Sequence, residues 1–165
     1  MNLEKRDEDT YMINKRRFAG VLCVLLGAAT IAVAKEKVLV NADASGLILH
    51  GYDPVAYFTK NEAVKGNEQH KATYQGGTFY FASEANKNLF KKDPAKYAPQ
   101  YGGYCSVTVS MGKLEDADPR MFNIHNDKLL VQRNEKAHQM FMSNPDEFQR
   151  KADQQWPELV EKYGK

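Results

Sequence analysis

Cysteine is nearly absent from this 165-residue chain, and the two present, Cys23 and Cys105, are too few for a disulfide framework or a four-thiolate zinc site. An excess of one charge is also missing. Lysine and arginine total 23 against 21 aspartate and glutamate; residues 1–34 hold 5 of the basic and 4 of the acidic groups, which leaves 18 against 17 in residues 35–165. So even a balance neutralises no phosphate backbone, and nucleic acid is not an expected partner. The chain also has no Gly-x-Ser-x-Gly elbow, no phosphate-cradling glycine loop and no dinucleotide fingerprint, which removes the commonest enzyme signatures. What is present is ordinary: 42% hydrophobic and 27% charged residues, one globular domain's worth.

Lys15-Arg16-Arg17 precedes 17 uncharged residues, 18–34, and Lys35-Glu36-Lys37 follows them. As a helix that run reaches about 25 Å, short of the roughly 30 Å hydrocarbon core. It ends in Ala32-Val33-Ala34, the small-x-small pattern a signal peptidase accepts. Residues 12–34 are therefore expected to be a cleavable Sec-type signal, with Met12 the expected initiator because the acidic preamble 1–11 is foreign to a signal. Cleavage would leave residues 35–165 as a single domain, periplasmic or secreted, and the chain would touch the membrane only if the segment were kept as an anchor. Cys23 lacks the small residues before it that lipidation requires, so Cys105 is the one thiol of the mature chain.

The alternation in Tyr104-Cys105-Ser106-Val107-Thr108-Val109-Ser110-Met111 predicts a strand with Cys105, Val107, Val109 and Met111 on its apolar face. Such a cysteine is a core thiol; a metal-binding or redox thiol at the strand entrance, where Gly102 and Gly103 admit a ligand, is the alternative. Residues 37–40 and 47–50 read as short strands, and residues 71–82 as a hairpin around Gln75-Gly76-Gly77. Ser83 then caps a helix with Glu84 in its first turn and Ala85, Leu89 and Phe90 on one face. Lys87, Lys91, Lys92 and Lys96 take the solvated side.

The same grammar returns 51 residues later. Ser83 matches Asn134, Glu84 matches Glu135, Leu89 matches Met140, Phe90 matches Phe141, and Tyr97 matches Phe148, after a turn at Asn126-Asp127 and a strand over 128–132. Two hairpin-helix units around one core are expected: an α+β fold with a small antiparallel sheet, following the cleavable segment. Asp53-Pro54, Asp93-Pro94, Asp118-Pro119 and Asn144-Pro145 each join a preferred cap to the residue favoured at the first helical position, so each should open a helical turn. The last should carry Phe148, Ala152 and Trp156 until Pro157 interrupts it.

Gly51-Tyr52-Asp53-Pro54-Val55-Ala56-Tyr57-Phe58, Tyr80-Phe81-Ala82-Ser83, Asp93-Pro94-Ala95-Lys96-Tyr97 and Tyr101-Gly102-Gly103-Tyr104-Cys105, with Lys151-Ala152-Asp153 and Trp156-Pro157, resemble the exported YHS-domain proteins over nearly all of residues 45–160. The resemblance implies a fold more than an activity, since exported members of this length mostly have no assigned function. Short YHS modules attached to metal-transport ATPases carry thiols in Asp-Pro-Val-Cys and Phe-Cys-Ser-x-x-Cys segments and are taken to bind metals. Here those places hold Ala56, Ala82 and Asn86, so that thiol site does not carry over.

Four histidines remain, His50, His70, His125 and His138, none in a local two-ligand motif. The best soft-metal set is Cys105 with His138 and Met142, the last two one helical turn apart, which would suit copper. His50 and His70 read as surface or hydrogen-bonded residues, Asp53 as a cap, and the acidic loop 115–118 as solvated, since it lacks the glycine and glutamate of a calcium loop. Three functions stand in order. The first is a non-catalytic binding or accessory module for a protein or small ligand, with segments 51–58 and 97–104 lining an aromatic surface; nine tyrosines and eight phenylalanines motivate it. The second is binding or delivery of copper or another soft metal by Cys105 with one or more of His50, His70, His138 and Met142. The third is a thiol enzyme using Cys105 with a histidine and Asp53.

Overall fold

The computed structural model describes residues 36–165; the expected signal segment, with Met12 and Cys23, lies outside the described residues. The chain runs through a left-handed turn at Leu49–Gly51, helix α1 (Pro54–Thr59), hairpin β1 (Asn67–Tyr74) and β2 (Gly77–Phe81), then α2 (Glu84–Lys92) and α3 (Pro94–Tyr97). A second left-handed turn within Gln100–Gly103 opens the same order again: α4 (Ser106–Val109), hairpin β3 (Asp118–His125) and β4 (Lys128–Gln132), α5 (Glu135–Ser143) and α6 (Pro145–Tyr163). The fold is α+β, and its antiparallel pairing divides into two two-stranded ladders, β1–β2 and β3–β4. Each capped helix does follow a paired hairpin, and the repetition reaches further back than the sequence suggested, into the turn and short helix before each hairpin.

Those turns are the least sequence-like feature. Leu49, His50 and Gly51 have φ of 53°, 48° and 76°, and Tyr101, Gly102 and Gly103 have 53°, 59° and 88°. Three successive left-handed residues cost conformational energy wherever a Cβ is present. The burial of Leu49 and Tyr101 in the core offsets that cost. A Cβ at Gly102 would lie 2.2 Å from the Leu39 carbonyl oxygen, so only glycine lets the incoming segment pass. Because the chain turns here, 47–50 is not a strand; Leu47 and Ile48 make only isolated bridges, to Thr78 and Ala42. Nor is 37–40, which docks by mutual backbone bonds between Val38 and Lys165.

Three of the four Asx-Pro pairs open helices, with Asp53, Asp93 and Asn144 accepting from backbone N–H groups two or three residues on. Asp118-Pro119 is the exception and starts β3, where the register slips between Asp118 and Phe122. A bulge needs no N–H from proline, and Asp118 spends its carboxylate on the Arg120 N–H and guanidinium instead. Pro157 does not interrupt the last helix, which is continuous over 19 residues. Proline forfeits one backbone bond there, while Ala152, Trp156 and Leu159 all keep their places against the core.

The core joins both repeats: Ile48, Val55, Tyr57, Phe79, Phe81 and Phe90 from the first, and Val107, Val109, Leu129, Leu130, Val131 and Phe141 from the second. Phe90 meets the rings of Tyr74, Phe79 and Phe81 at 6.0, 4.9 and 5.1 Å. It is the buried member of α2; Ala85 and Leu89, expected beside it, are both exposed, Leu89 by 41%. Tyr57 ties the repeats directly, donating its hydroxyl to the Pro119 carbonyl at 2.9 Å and packing on Phe122 at 4.7 Å.

Candidate functional site

The segment at Asp53, where the resemblance would place thiols, is closed by hydrogen bonds. Asp53 is wholly buried, and its carboxylate accepts from the Val55 N–H (2.8 Å), the Ala82 N–H (2.8 Å) and the Asn86 side-chain amide (2.6 Å). One carboxylate thus pins the start of α1, the end of β2 and the first turn of α2. Ala56 and Ala82 offer no donor atom to a metal, and Asn86 is spent on Asp53. Of the family-motif residues, Gly51, Tyr52, Asp53, Pro54 and Tyr57 belong to this junction, Phe58 packs edge-on to Tyr97 at 5.4 Å, and Ser83 caps α2 on the Asn86 N–H.

Cys105 is where sequence periodicity misled. Residues 104–111 are not a strand: Cys105 is the N-terminal flank of α4, and Ser106, Val107, Thr108 and Val109 are all buried while Met111 is 53% exposed. Four successive buried residues obey neither a strand's nor a surface helix's period, because this short helix sits inside the core, against α5 and α6. The thiol itself is at 0% exposure, as a core thiol should be.

His138 and Met142 have other neighbours. The His138 Nδ1 lies 3.0 Å from the Gln132 side-chain oxygen, and the Gln132 amide nitrogen donates to Ser106 Oγ at 3.1 Å. Met142 is 53% exposed, and its sulfur receives the Asn123 amide at 2.9 Å. The Asn123 oxygen is buried with no donor among the described residues. Gln132 and Ser106 were missed at the sequence level; each lies where its element's pattern reads as a strand end or a polar face.

The other histidines each face a carboxylate: His70 with Glu84 (3.1 Å), His125 with Asp146 (2.8 Å), and His50 with Asp116 (3.0 Å). Among the described residues no three of His, Cys, Asp and Glu gather about one point. His50 lines a cleft of about 370 Å³ with Asp116, Asp118, Pro119 and Arg133. Partial burial would raise the Asp116 carboxyl, but the Asn41 amide, the Ala117 N–H and His50 outweigh it and hold it below the usual range. Asp118 is held low by its hydrogen bonds with Arg120.

Segments 51–58 and 97–104 do not present the expected aromatic surface. Tyr57, Tyr97 and Tyr101 are buried, while Tyr52, Phe58 and Tyr104 pack against the core. Burial pushes the Tyr57 and Tyr101 hydroxyls far above their ordinary range, the latter helped by its bond to Asp153 at 2.8 Å. Tyr74 and Tyr80, equally half-buried, stand on the first hairpin. A groove of about 810 Å³ crosses the first hairpin, walled by Leu47, Tyr74, Tyr80 and Phe90 and edged by Glu68, Lys71 and Lys91. Lys91, read from sequence as part of a solvated face, here borders a concavity.

Residues 55–101, from α1 to the second left-handed turn, match the family model of the YHS domain. No curated protein and no solved structure matches the chain.

Proposed function

We propose that the chain from residue 35 onward, which matches the YHS-domain model over residues 55–101, is a non-catalytic, extracytoplasmic binding module, using the groove over its first hairpin for a small ligand or partner segment that pairs an apolar body with negative charge. The groove carries this reading: it lies mostly within the matched domain, falls in the volume range of small-molecule sites, and joins aromatic walls to Lys71 and Lys91. Lys71 already faces Glu68 at 3.2 Å, while Lys91 makes no ion pair among the described residues and is the cation we assign to an anionic guest. Export rests on the basic-then-apolar leader at residues 12–34. The non-catalytic character rests on the sole mature thiol being enclosed, and on Asp53 being consumed as a structural acceptor.

Aromatic carboxylates serve as probes, with the ring signals of Tyr74 and Tyr80 followed by NMR. Binding should shift those signals first. Lys91→Glu should weaken it by about 5-fold or more, as expected for losing one partly screened charge contact of about 1 kcal/mol and gaining repulsion. Shifts scattered over the surface, or unchanged in Lys91→Glu, would remove the groove as the site.

A further inference from the structure

The two repeats differ most tellingly where α5 lies on the second hairpin. At the 51-residue spacing Phe81 corresponds to Gln132, Lys87 to His138 and Lys91 to Met142; where each left-handed turn feeds its short helix, Pro54 corresponds to Ser106. The first repeat therefore has an apolar interior position under the helix, with two lysines on the helix surface, one paired to Glu84 at 2.7 Å. The second repeat replaces that phenylalanine by a wholly buried amide and adds a wholly buried hydroxyl beneath it. Buried amides and hydroxyls cost stability relative to hydrocarbon even when satisfied. What this pair accomplishes is to hold one imidazole ring.

The amide nitrogen of Gln132 is engaged by Ser106, so its oxygen is the acceptor for His138, and the proton sits on Nδ1. In the neutral ring the lone pair is then on Nε2, the arrangement that orients a metal-binding histidine from behind. One helical turn on, the Met142 thioether is exposed, with the Asn123 amide against its sulfur. Side chains four apart on a helix start about 5–6 Å from each other, a gap that one ion bonded to nitrogen and sulfur at about 2.0–2.3 Å can close. A neutral imidazole and a thioether together select a soft monovalent ion.

We infer that His138 Nε2 and Met142 Sδ form a two-ligand site for monovalent copper, with Gln132 and Ser106 as the residues that position the ring. Cys105 is not a ligand: it is enclosed, and its neighbour Ser106 spends its hydroxyl on the relay. The site lies outside the matched domain and away from its thiol positions, and it does not depend on the groove.

Silver(I) in chloride-free buffer is the redox-inert probe, titrated into the purified protein and its variants, each checked for native circular dichroism. One equivalent should shift the Met142 methyl and His138 ring signals together. Met142→Leu, a change at an exposed position, and His138→Ala should each weaken binding by at least 10-fold. Gln132→Leu, which keeps both ligands, should retain the stoichiometry at roughly 10- to 100-fold lower affinity and free the Nδ1 proton to exchange. Cys105→Ser should bind as the parent does. Binding lost in Cys105→Ser, retained in Met142→Leu, or absent from the parent overturns the inference, as does parental affinity in folded Gln132→Leu.

Discussion

A single carboxylate decides how the first repeat closes. Asp53 was legible as a helix cap, since Asp before Pro is a strong local signal, but its bonds to Ala82 and Asn86 join residues about thirty positions apart and have no local signature. Asp53→Ala leaves two backbone N–H groups and one amide without their acceptor at a wholly buried carboxylate position. It should lower stability by about 3 kcal/mol, measured by urea unfolding, and a loss under about 1 kcal/mol would show that the junction is solvated. Asp116 and Asp118 give the acid response. Both are held below their unfolded values, so their stabilisation is complete above about pH 4 and is lost as pH falls through the lower, folded values. Stability from these groups should be flat from pH 7 to about 4 and then decline, and Asp116→Asn should flatten part of that decline. The opposite slope would contradict the ion pairing with His50 and the hydrogen bonds from Asn41 and Ala117.

Helices and hairpins with complete local signals formed where they were expected: Ser83 and Asn134 cap α2 and α5, and Gln75-Gly76 and Asn126-Asp127 turn the hairpins. Elements whose conformation depends on distant packing did not follow their pattern. Alternation around Cys105 promised a strand, yet those residues form a helix because core surrounds them on every side, and alternation then carries no information. Pro157 promised an interruption, yet the packing of Ala152, Trp156 and Leu159 keeps α6 whole. Pro157→Ala should accordingly restore one backbone bond and raise stability by about 1–3 kcal/mol in thermal or urea unfolding. A destabilised variant would mean that the proline ring itself fills a contact the helix needs.

Among the described residues the same order of elements occurs twice, and the two halves share one hydrophobic core. Tyr57 of the first reaches Pro119 and Phe122 of the second, and Pro99 bridges to Leu129. A fragment ending at residue 101, although it contains the whole matched domain, loses the cover over Tyr57 and should remain largely unfolded by circular dichroism and amide exchange, while the chain from residue 35 unfolds in one transition. A cooperatively folded fragment would mean that each half has a sufficient core of its own.

The sequence by itself determined the elements that rest on neighbours in the chain: caps, hairpin turns, the 51-residue recurrence and the α+β class. Capping and turn formation act over three or four residues, so their information is written locally. Only the tertiary structure decided the two left-handed turns, the enclosure of the tyrosines, the helix at Cys105, and the Ser106–Gln132–His138 chain. Each of these depends on which residues the finished fold brings against one another, and burial can outweigh a strained φ or an unfavourable period by more than the local preference is worth.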